Sequence, residues 1–225
     1  MTKHNLTMKI FGKKILGRFH HLKGHGVHSP FVYNFITKVI DEKSHYYAYS
    51  EIETKVKVEA KNYNRFLFRL TNYMGCDSVT IFYPEEESSI LYPAMVSPST
   101  SCHVVMDKPF SQIQGFIKDH HLINITPTAH SPEKNISSDD TIENYRLIII
   151  ENWKEDETKN KIDLLEDKTI VVIKNIRKNK KLKKYWKTLQ KHSEAHITLD
   201  MHSIGVVFVN KSFKKQHYKI YFNHG

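Results

Sequence analysis

Two short stretches of the sequence decide the fold: RLIIIE at residues 146–151 and TIVVIK at residues 169–174. Each contains four consecutive apolar residues, Leu147–Ile150 in the first and Ile170–Ile173 in the second. A strand with one face in water alternates apolar and polar residues, whereas parallel sheets bury both faces and their strands are continuously apolar. The two runs therefore predict neighbouring central strands of a parallel sheet.

Short apolar stretches alternate with helical patterns on both sides of these runs. The predicted strands are Ser78–Tyr83, Cys102–Met106, Ile123–Thr126, Arg146–Ile150 and Thr169–Ile173. The predicted helices are Glu86–Met95, Ser111–His120, Lys159–Leu165 and Lys180–His192. Such alternation is typical of a doubly wound α/β sheet with right-handed crossovers. We therefore expect a Rossmann-like α/β domain with five parallel strands.

The two ends of the chain have different patterns. Near the N-terminus, Ser29-Pro30 predicts a helix start and helical spacing continues over 63–73. At the C-terminus, three strands are predicted to pair antiparallel, with a turn near 203–205: His196–Met201, Val206–Asn210 and His217–Phe222. We expect an N-terminal helical extension over 1–75, packed on a domain that covers 76–225.

The composition indicates a soluble cytoplasmic protein of 225 residues, 40% of them hydrophobic. Its two cysteines, Cys76 and Cys102, form no disulfide framework, so a reducing compartment is the simpler interpretation. No apolar stretch is long enough to span a bilayer. The sequence leaves the oligomeric state open, and a homo-oligomer is compatible with it.

The formal net charge of +10 is concentrated in two regions. Residues 1–50 carry eight Lys and Arg, and residues 177–191 carry eight more with no acid. This balance is compatible with nucleic acid, an anionic membrane or an acidic protein. Nucleic acid is compatible but not favoured, because no aromatic stacking motif accompanies the lysines.

Four segments resemble a methyltransferase-like family of the class I S-adenosylmethionine-dependent methyltransferases. GHGVHSPFVY at 24–33 resembles the opening motif HGxHSPF of that family, and residues 66–73 resemble the helix before its first strand. KYW at 184–186 and IGVVF at 204–208 resemble its last helix and its closing hairpin. The resemblance implies five parallel strands plus antiparallel closing strands, and S-adenosylmethionine as the cofactor.

The sequence departs from that family where the cofactor would bind. The family has a glycine-rich loop after the first strand, but here the segment 81–87 reads IFYPEEE, and no glycine lies between Gly75 and Gly115. After the fifth strand the family carries an acidic motif resembling DDIH, and here 174–177 reads KNIR. The chain is therefore interpreted as a divergent member, with a cofactor pocket partly filled by Phe82, Tyr83 and Pro84.

The resemblance also implies where the site residues lie. In open α/β sheets ligands bind at the carboxyl ends of the strands, and an acid after the second strand accepts ribose hydroxyls. The expected cofactor-binding residues are Phe82, Tyr83, Asp107 and Glu151. The candidate residues on the acceptor side are His25, His28, Lys174 and Asn175.

Two further clusters have competing interpretations. Glu85-Glu86-Glu87 could be catalytic, but acids in the first turn of the following helix are favoured. His20, His21, His25 and His28 could bind zinc, but a structural or surface role is favoured. No metal is expected, because the predicted strand plan resembles that of cation-dependent O-methyltransferases, and Lys174 stands where those enzymes carry an acid. Lys174 is instead expected to pair with Glu151.

Two functions remain open on these observations. The first is a methyltransferase-like enzyme with a degenerate cofactor motif, an unknown small-molecule or protein acceptor and no identifiable general base. The second is a non-catalytic binding or assembly module that uses the basic surfaces.

Overall fold

The computed structural model describes residues 29–128, 144–152 and 165–222. Helix α1 (Pro30–Phe35) continues into a π-helical segment, Ile36–Ile40, and is followed by α2 (Tyr47–Lys55) and α3 (Lys61–Met74). The remaining helices are α4 (Ser88–Ala94), α5 (Gln114–Asp119) and α6 (Lys180–Lys191). The strands are β1 (Cys76–Phe82), β2 (Ser101–Val105), β3 (Ile125–Thr128), β4 (Tyr145–Ile150), β5 (Thr169–Ile173), β6 (Ile197–Met201), β7 (Ile204–Val209) and β8 (Gln216–Lys219).

The described strands form one sheet in the order β3-β2-β1-β4-β5-β7-β6-β8. Strands β1 to β5 are mutually parallel, and β7 is antiparallel to both of its neighbours. The chain winds from β1 out to β3 and then returns to place β4 on the other side of β1. The topological switch point, where open α/β sheets bind ligands, therefore lies between β1 and β4.

Both faces of the central strands are buried, as the apolar runs predict. Leu147 and Ile149 of β4 pack into the core shared with α1 to α5, and Ile148 and Ile150 pack into the core on the α6 side. The residues of β5 divide between the two cores in the same way. The α/β fold with a mostly parallel sheet is therefore confirmed, with β4 and β5 at its centre.

Local signals set the ends of the N-terminal helices. The Ser29 hydroxyl accepts a hydrogen bond from the backbone N–H of Val32 at 3.3 Å, which makes Ser29 the N-cap of α1. Gly75 ends α3 in the left-handed conformation, with φ 60°, and β1 starts at the next residue. Such a φ suits glycine because it carries no Cβ. The helix predicted before the first strand is thus present.

The predicted antiparallel pairing is confirmed for β6 with β7 but is wrong for the third strand. Strand β8 pairs parallel with β6, not antiparallel, so the antiparallel closing strand of the sheet is β7. The β6–β7 turn is His202-Ser203, with φ 71° at His202, and Gly205 lies inside β7. The helix predicted at 159–165 falls almost entirely outside the described residues. None of the described helices is long and apolar enough to cross a membrane.

Candidate functional site

The crevice at the switch point is bridged by side chains from three strand ends. Glu151 follows β4, and its Oε2 accepts a hydrogen bond from the backbone N–H of Glu85 at 2.8 Å. Lys174 follows β5, and its Nζ lies 3.7 Å from the same Glu151 oxygen and 2.8 Å from Glu85 Oε2. The predicted Glu151–Lys174 contact is therefore present, but the nearer partner of Lys174 is Glu85, which was not predicted from the sequence.

Two further residues complete this network, which we call the Glu151 cluster: Tyr63, Glu85, Glu151, Lys174 and Asn175. The Asn175 amide donates to Glu85 Oε1 at 2.8 Å, and Lys174 Nζ lies 4.6 Å from the centre of the Tyr63 ring. Neither Glu151 Oε1 nor the Tyr63 hydroxyl has a hydrogen-bond partner among the described residues. Burial raises the pKa of Glu151, and the charge of Lys174 opposes that rise.

The Tyr63 hydroxyl is held neutral by its surroundings. Burial raises its pKa well above the ordinary value, and the charge of Glu151 raises it further. A neutral phenol beside a buried carboxylate adds no charge to the cluster. Tyr63 could not be predicted as a site residue because it lies on the apolar face of α3, where its spacing matches that of core residues.

The other two acids of the Glu85-Glu86-Glu87 run accept hydrogen bonds from backbone N–H groups at the starts of two other helices. The Glu86 carboxylate accepts from the backbone N–H of Glu59 at 2.9 Å and of Ala60 at 3.2 Å, just before α3. Glu87 accepts from the backbone N–H groups of Ser111, Gln112 and Ile113, which lead into α5. The expectation that these acids serve their own helix was therefore wrong, since they cap other elements.

The backbone after β1 forms the loop where the sequence resemblance led us to expect glycines. Tyr83 has φ 48°, in the left-handed region that glycine favours. Its N–H donates to the Val105 carbonyl at 2.9 Å, and its carbonyl accepts from the Asn152 amide at 3.1 Å. Pro84 has no N–H. The backbone of this loop is thus tied to β2 and to the end of β4.

An open cleft of about 440 Å³ lies beside this loop, at the carboxyl ends of β1 and β2. Tyr83, Pro84 and Asp107 line it, and Lys57 and Lys108 are among its cations. Phe82 does not line the cleft, because its side chain is buried in the core on the α6 side. Of the expected cofactor residues, Tyr83 and Asp107 thus border the cleft, whereas Glu151 lies in the cluster behind it.

The histidines predicted as candidate site residues lie near the N-terminus of the chain. His25 and His28, the candidate acceptor-side histidines, lie outside the described residues, as do His20 and His21. Within the described ranges, no three His, Cys, Asp or Glu side chains are grouped closely enough to hold a metal ion.

Solved structures share this fold. The S-adenosylhomocysteine-bound methyltransferase PaMTH1 of Podospora anserina aligns over 84% of this chain and 99% of its own, at 12% identity and a TM-score of 0.55. The O-methyltransferase TomG of Streptomyces achromogenes, in complex with S-adenosylmethionine, aligns over 80% and 95%, at 11% identity and a TM-score of 0.50. The chain has the fold of these methyltransferases. No protein-family model matches the chain, and no curated protein matches it by sequence.

Proposed function

We propose that this methyltransferase-fold protein binds the adenosine half of S-adenosylmethionine, or of a related adenine nucleoside, in the cleft beside β2. The observation that carries the proposal is the position of Asp107, which is exposed on the wall of a cleft of about 440 Å³, two residues after the end of β2. A carboxylate at the end of the second strand of such a sheet can accept the two ribose hydroxyls. A cleft of this size can also enclose a nucleoside.

The methionine half of the cofactor fits this site poorly. Its carboxylate needs N–H donors, but Pro84 has none, and those of Tyr83 and Glu85 are already paired. The carboxylates of Glu85, Glu86 and Glu87 border the same cleft and repel the carboxylate of the methionine half. Lys57 and Lys108 also line the cleft, and their positive charges partly offset this repulsion. We infer a degenerate cofactor site that retains nucleoside binding, with no methyl acceptor assigned.

Asp107→Asn should weaken nucleoside binding by about tenfold, because hydrogen bonds to a charged acceptor are stronger than those to a neutral one. Calorimetric titration of adenosine, S-adenosylhomocysteine and S-adenosylmethionine measures this. The matched control is Asp77→Asn, an exposed aspartate at the opposite end of β1, which should leave all three affinities unchanged. The three ligands should bind with similar, weak affinities, because they share the adenosine half. Binding of S-adenosylmethionine much tighter than adenosine would show an intact methionine site and contradict the proposal.

A second candidate function rests on the charge of α6. Its six lysines are all exposed, while Leu182, Tyr185, Trp186 and Leu189 of the same helix are buried. Four of the lysines recur at helical spacing along one row opposite the buried face: Lys180, Lys184, Lys187 and Lys191. We infer that this row can bind a polyanion, with nucleic acid as the partner to be tested.

Nucleic-acid binding through this row should be independent of sequence and strongly weakened by salt. If about four phosphates are contacted, affinity should fall roughly a hundredfold between about 50 and about 200 mM salt. Fluorescence anisotropy with a labelled duplex measures the slope. Replacing the four lysines of the row with Gln should abolish binding, whereas the same change at four exposed lysines elsewhere should not: Lys38, Lys118, Lys211 and Lys219. Salt-insensitive binding would exclude a purely electrostatic contact.

A further inference from the structure

A second cavity, of about 340 Å³, lies beside α2 and α3 and shares no lining residue with the cleft. Tyr49 of α2 and Arg69 of α3 line it, together with Tyr221 and Phe222 near the end of the described chain. The loop after the π-helical segment forms its mouth. None of these residues belongs to the nucleoside site proposed above.

Arg69 is a buried cation without a counter-charge in the part of the chain that the structure describes. The residue is only 8% exposed, and its Nε donates to the Val39 carbonyl at 2.6 Å. Across the described ranges, no carboxylate lies within ion-pair distance of its guanidinium. By contrast, the neighbouring Arg65 forms a two-pronged ion pair with Glu53, at 2.7 and 2.8 Å.

Tyr49 cannot supply the missing negative charge. Burial raises its pKa to about 12, and the opposing effect of Arg69 does not reverse this. The phenol is therefore neutral at physiological pH, and it donates to the Arg65 carbonyl at 3.3 Å. An isolated charge is costly to bury unless it is paired and hydrogen-bonded. An anion in the cavity would complete the site, since the two terminal nitrogens of a guanidinium can hold both oxygens of a carboxylate.

The other walls indicate what kind of anion fits. Tyr49, Tyr221, Phe222 and Ile40 give one part of the wall aromatic and aliphatic surface, against which a flat apolar group can pack. The loop at the mouth carries charges of both signs: Asp41 and Glu42 are half-buried, and Lys43 and His45 are exposed. Among the charged residues that line the cavity, Arg69 is the most buried, and we infer that its charge sets the sign of the ligand.

We propose that this cavity binds an organic carboxylate with a flat apolar body, and that the Arg69 guanidinium is its counter-ion. Small ligands of this kind bury the apolar part and orient themselves by a few polar contacts. The proposal is independent of the nucleoside site, so the failure of one leaves the other standing.

Benzoate tests the proposal directly, with its neutral isostere benzamide and with inorganic phosphate as comparisons. In low-salt buffer, millimolar benzoate should raise the Tm of the full chain by several degrees, because a ligand that binds only the native state stabilises it. Benzamide and phosphate should leave the Tm unchanged. Saturation-transfer NMR on the unaltered protein gives a second readout that does not depend on any variant folding.

The variant arm uses Arg69→Met, with Arg177→Met as the control. Arg177 is a partly exposed arginine paired with Asp200 on another part of the fold, at 2.7 Å. Arg69→Met should weaken benzoate binding by about tenfold or more, since a charge-assisted contact is lost. Arg177→Met should keep the full benzoate shift. An equal response to benzamide, an equal response to phosphate, or a benzoate shift that survives in Arg69→Met would each overturn the proposal.

Discussion

Lys174→Met is expected to lower the free energy of unfolding by about 3–5 kcal/mol, the usual cost of removing one partner from a buried ion pair. The Glu151 side chain is fully buried, and Lys174 Nζ is only 3.7 Å from its Oε2. Removing the ammonium leaves that carboxylate with the Glu85 N–H and with no cation of its own. Urea unfolding at neutral pH measures the loss.

At acid pH, Lys174→Met should lose less stability relative to the unaltered protein than at neutral pH. Burial already raises the pKa of Glu151 above its ordinary value of 4.5, and loss of Lys174 raises it further. The folded state then binds the proton more tightly than the unfolded state, so the stability of the variant falls as pH rises above about 4.5. The difference between the variant and the unaltered protein should therefore be smallest near or below that pH and largest at neutral pH.

A double-mutant cycle separates the pair from its neighbours. Glu151→Gln combined with Lys174→Met should cost less than the sum of the two single changes, because the double variant leaves no unpaired charge at that position. Glu85→Gln belongs in the cycle, since Lys174 Nζ is closer to Glu85, at 2.8 Å. Additive effects of Glu151→Gln and Lys174→Met would mean that the two groups share a sheet edge without interacting.

The sheet was predictable because its central strands carry a strong local pattern. The predicted strand Thr169–Ile173 matches β5 residue for residue, and the predicted Arg146–Ile150 misses only the first residue of β4. At the sheet edge the pattern is weaker, since two of the four residues of β3 are exposed. The predicted Ile123–Thr126 is accordingly displaced by two residues. A strand buried on both faces has a continuous apolar sequence that identifies it, whereas a partly exposed edge strand does not.

The candidate site was less predictable because its contacts join distant parts of the chain. Glu86 reaches back to Glu59 and Ala60, and Glu87 reaches forward to Ser111. A local pattern cannot show such partners, so the acids were assigned to the helix beside them. The direction of β8 was missed for a similar reason, because a strand of four residues carries no signal for its orientation.

For the basic helix α6, too, the sequence pattern predicts which face is buried but not what the exposed face binds. Its amphipathic spacing predicted which face packs, and Leu182, Tyr185, Trp186 and Leu189 are buried as expected. The spacing of the lysines on the other face says nothing about what, if anything, they bind. The salt dependence of nucleic-acid binding distinguishes a polyanion site from a solvated face.

Gly205→Ala is expected to lower the free energy of unfolding by about 2–3 kcal/mol, the upper part of the range for an overpacked core. A Cβ at Gly205 would lie 2.6–2.8 Å from three atoms of the Trp186 ring. The ring cannot move away easily, because Trp186 is 3% exposed and its Nε1 donates to Asp200 Oδ2 at 3.3 Å. The φ angle of Gly205 is not positive, so the cost is steric rather than conformational.

Helix α6 and strand β7 are therefore packed closely together at Trp186 and Gly205. The tryptophan of α6 lies against the backbone of β7 where the glycine leaves room. Trp186→Phe removes part of that ring and should relieve the clash. Gly205→Ala should then cost at least about 1 kcal/mol less than in the unaltered protein, as expected for residues in direct contact.

Gly115→Ala is the matched control for this pair. Gly115 lies in α5 and is exposed, and a Cβ added to it would meet no neighbouring atom within 4 Å. Alanine there should be neutral or stabilise the protein by up to about 1 kcal/mol, because it restricts the unfolded chain and favours the helix. Urea unfolding of the four variants at one pH gives the comparison. If Gly205→Ala costs no more than Gly115→Ala, or costs the same with Phe at position 186, the close contact between α6 and β7 is not what makes glycine necessary there.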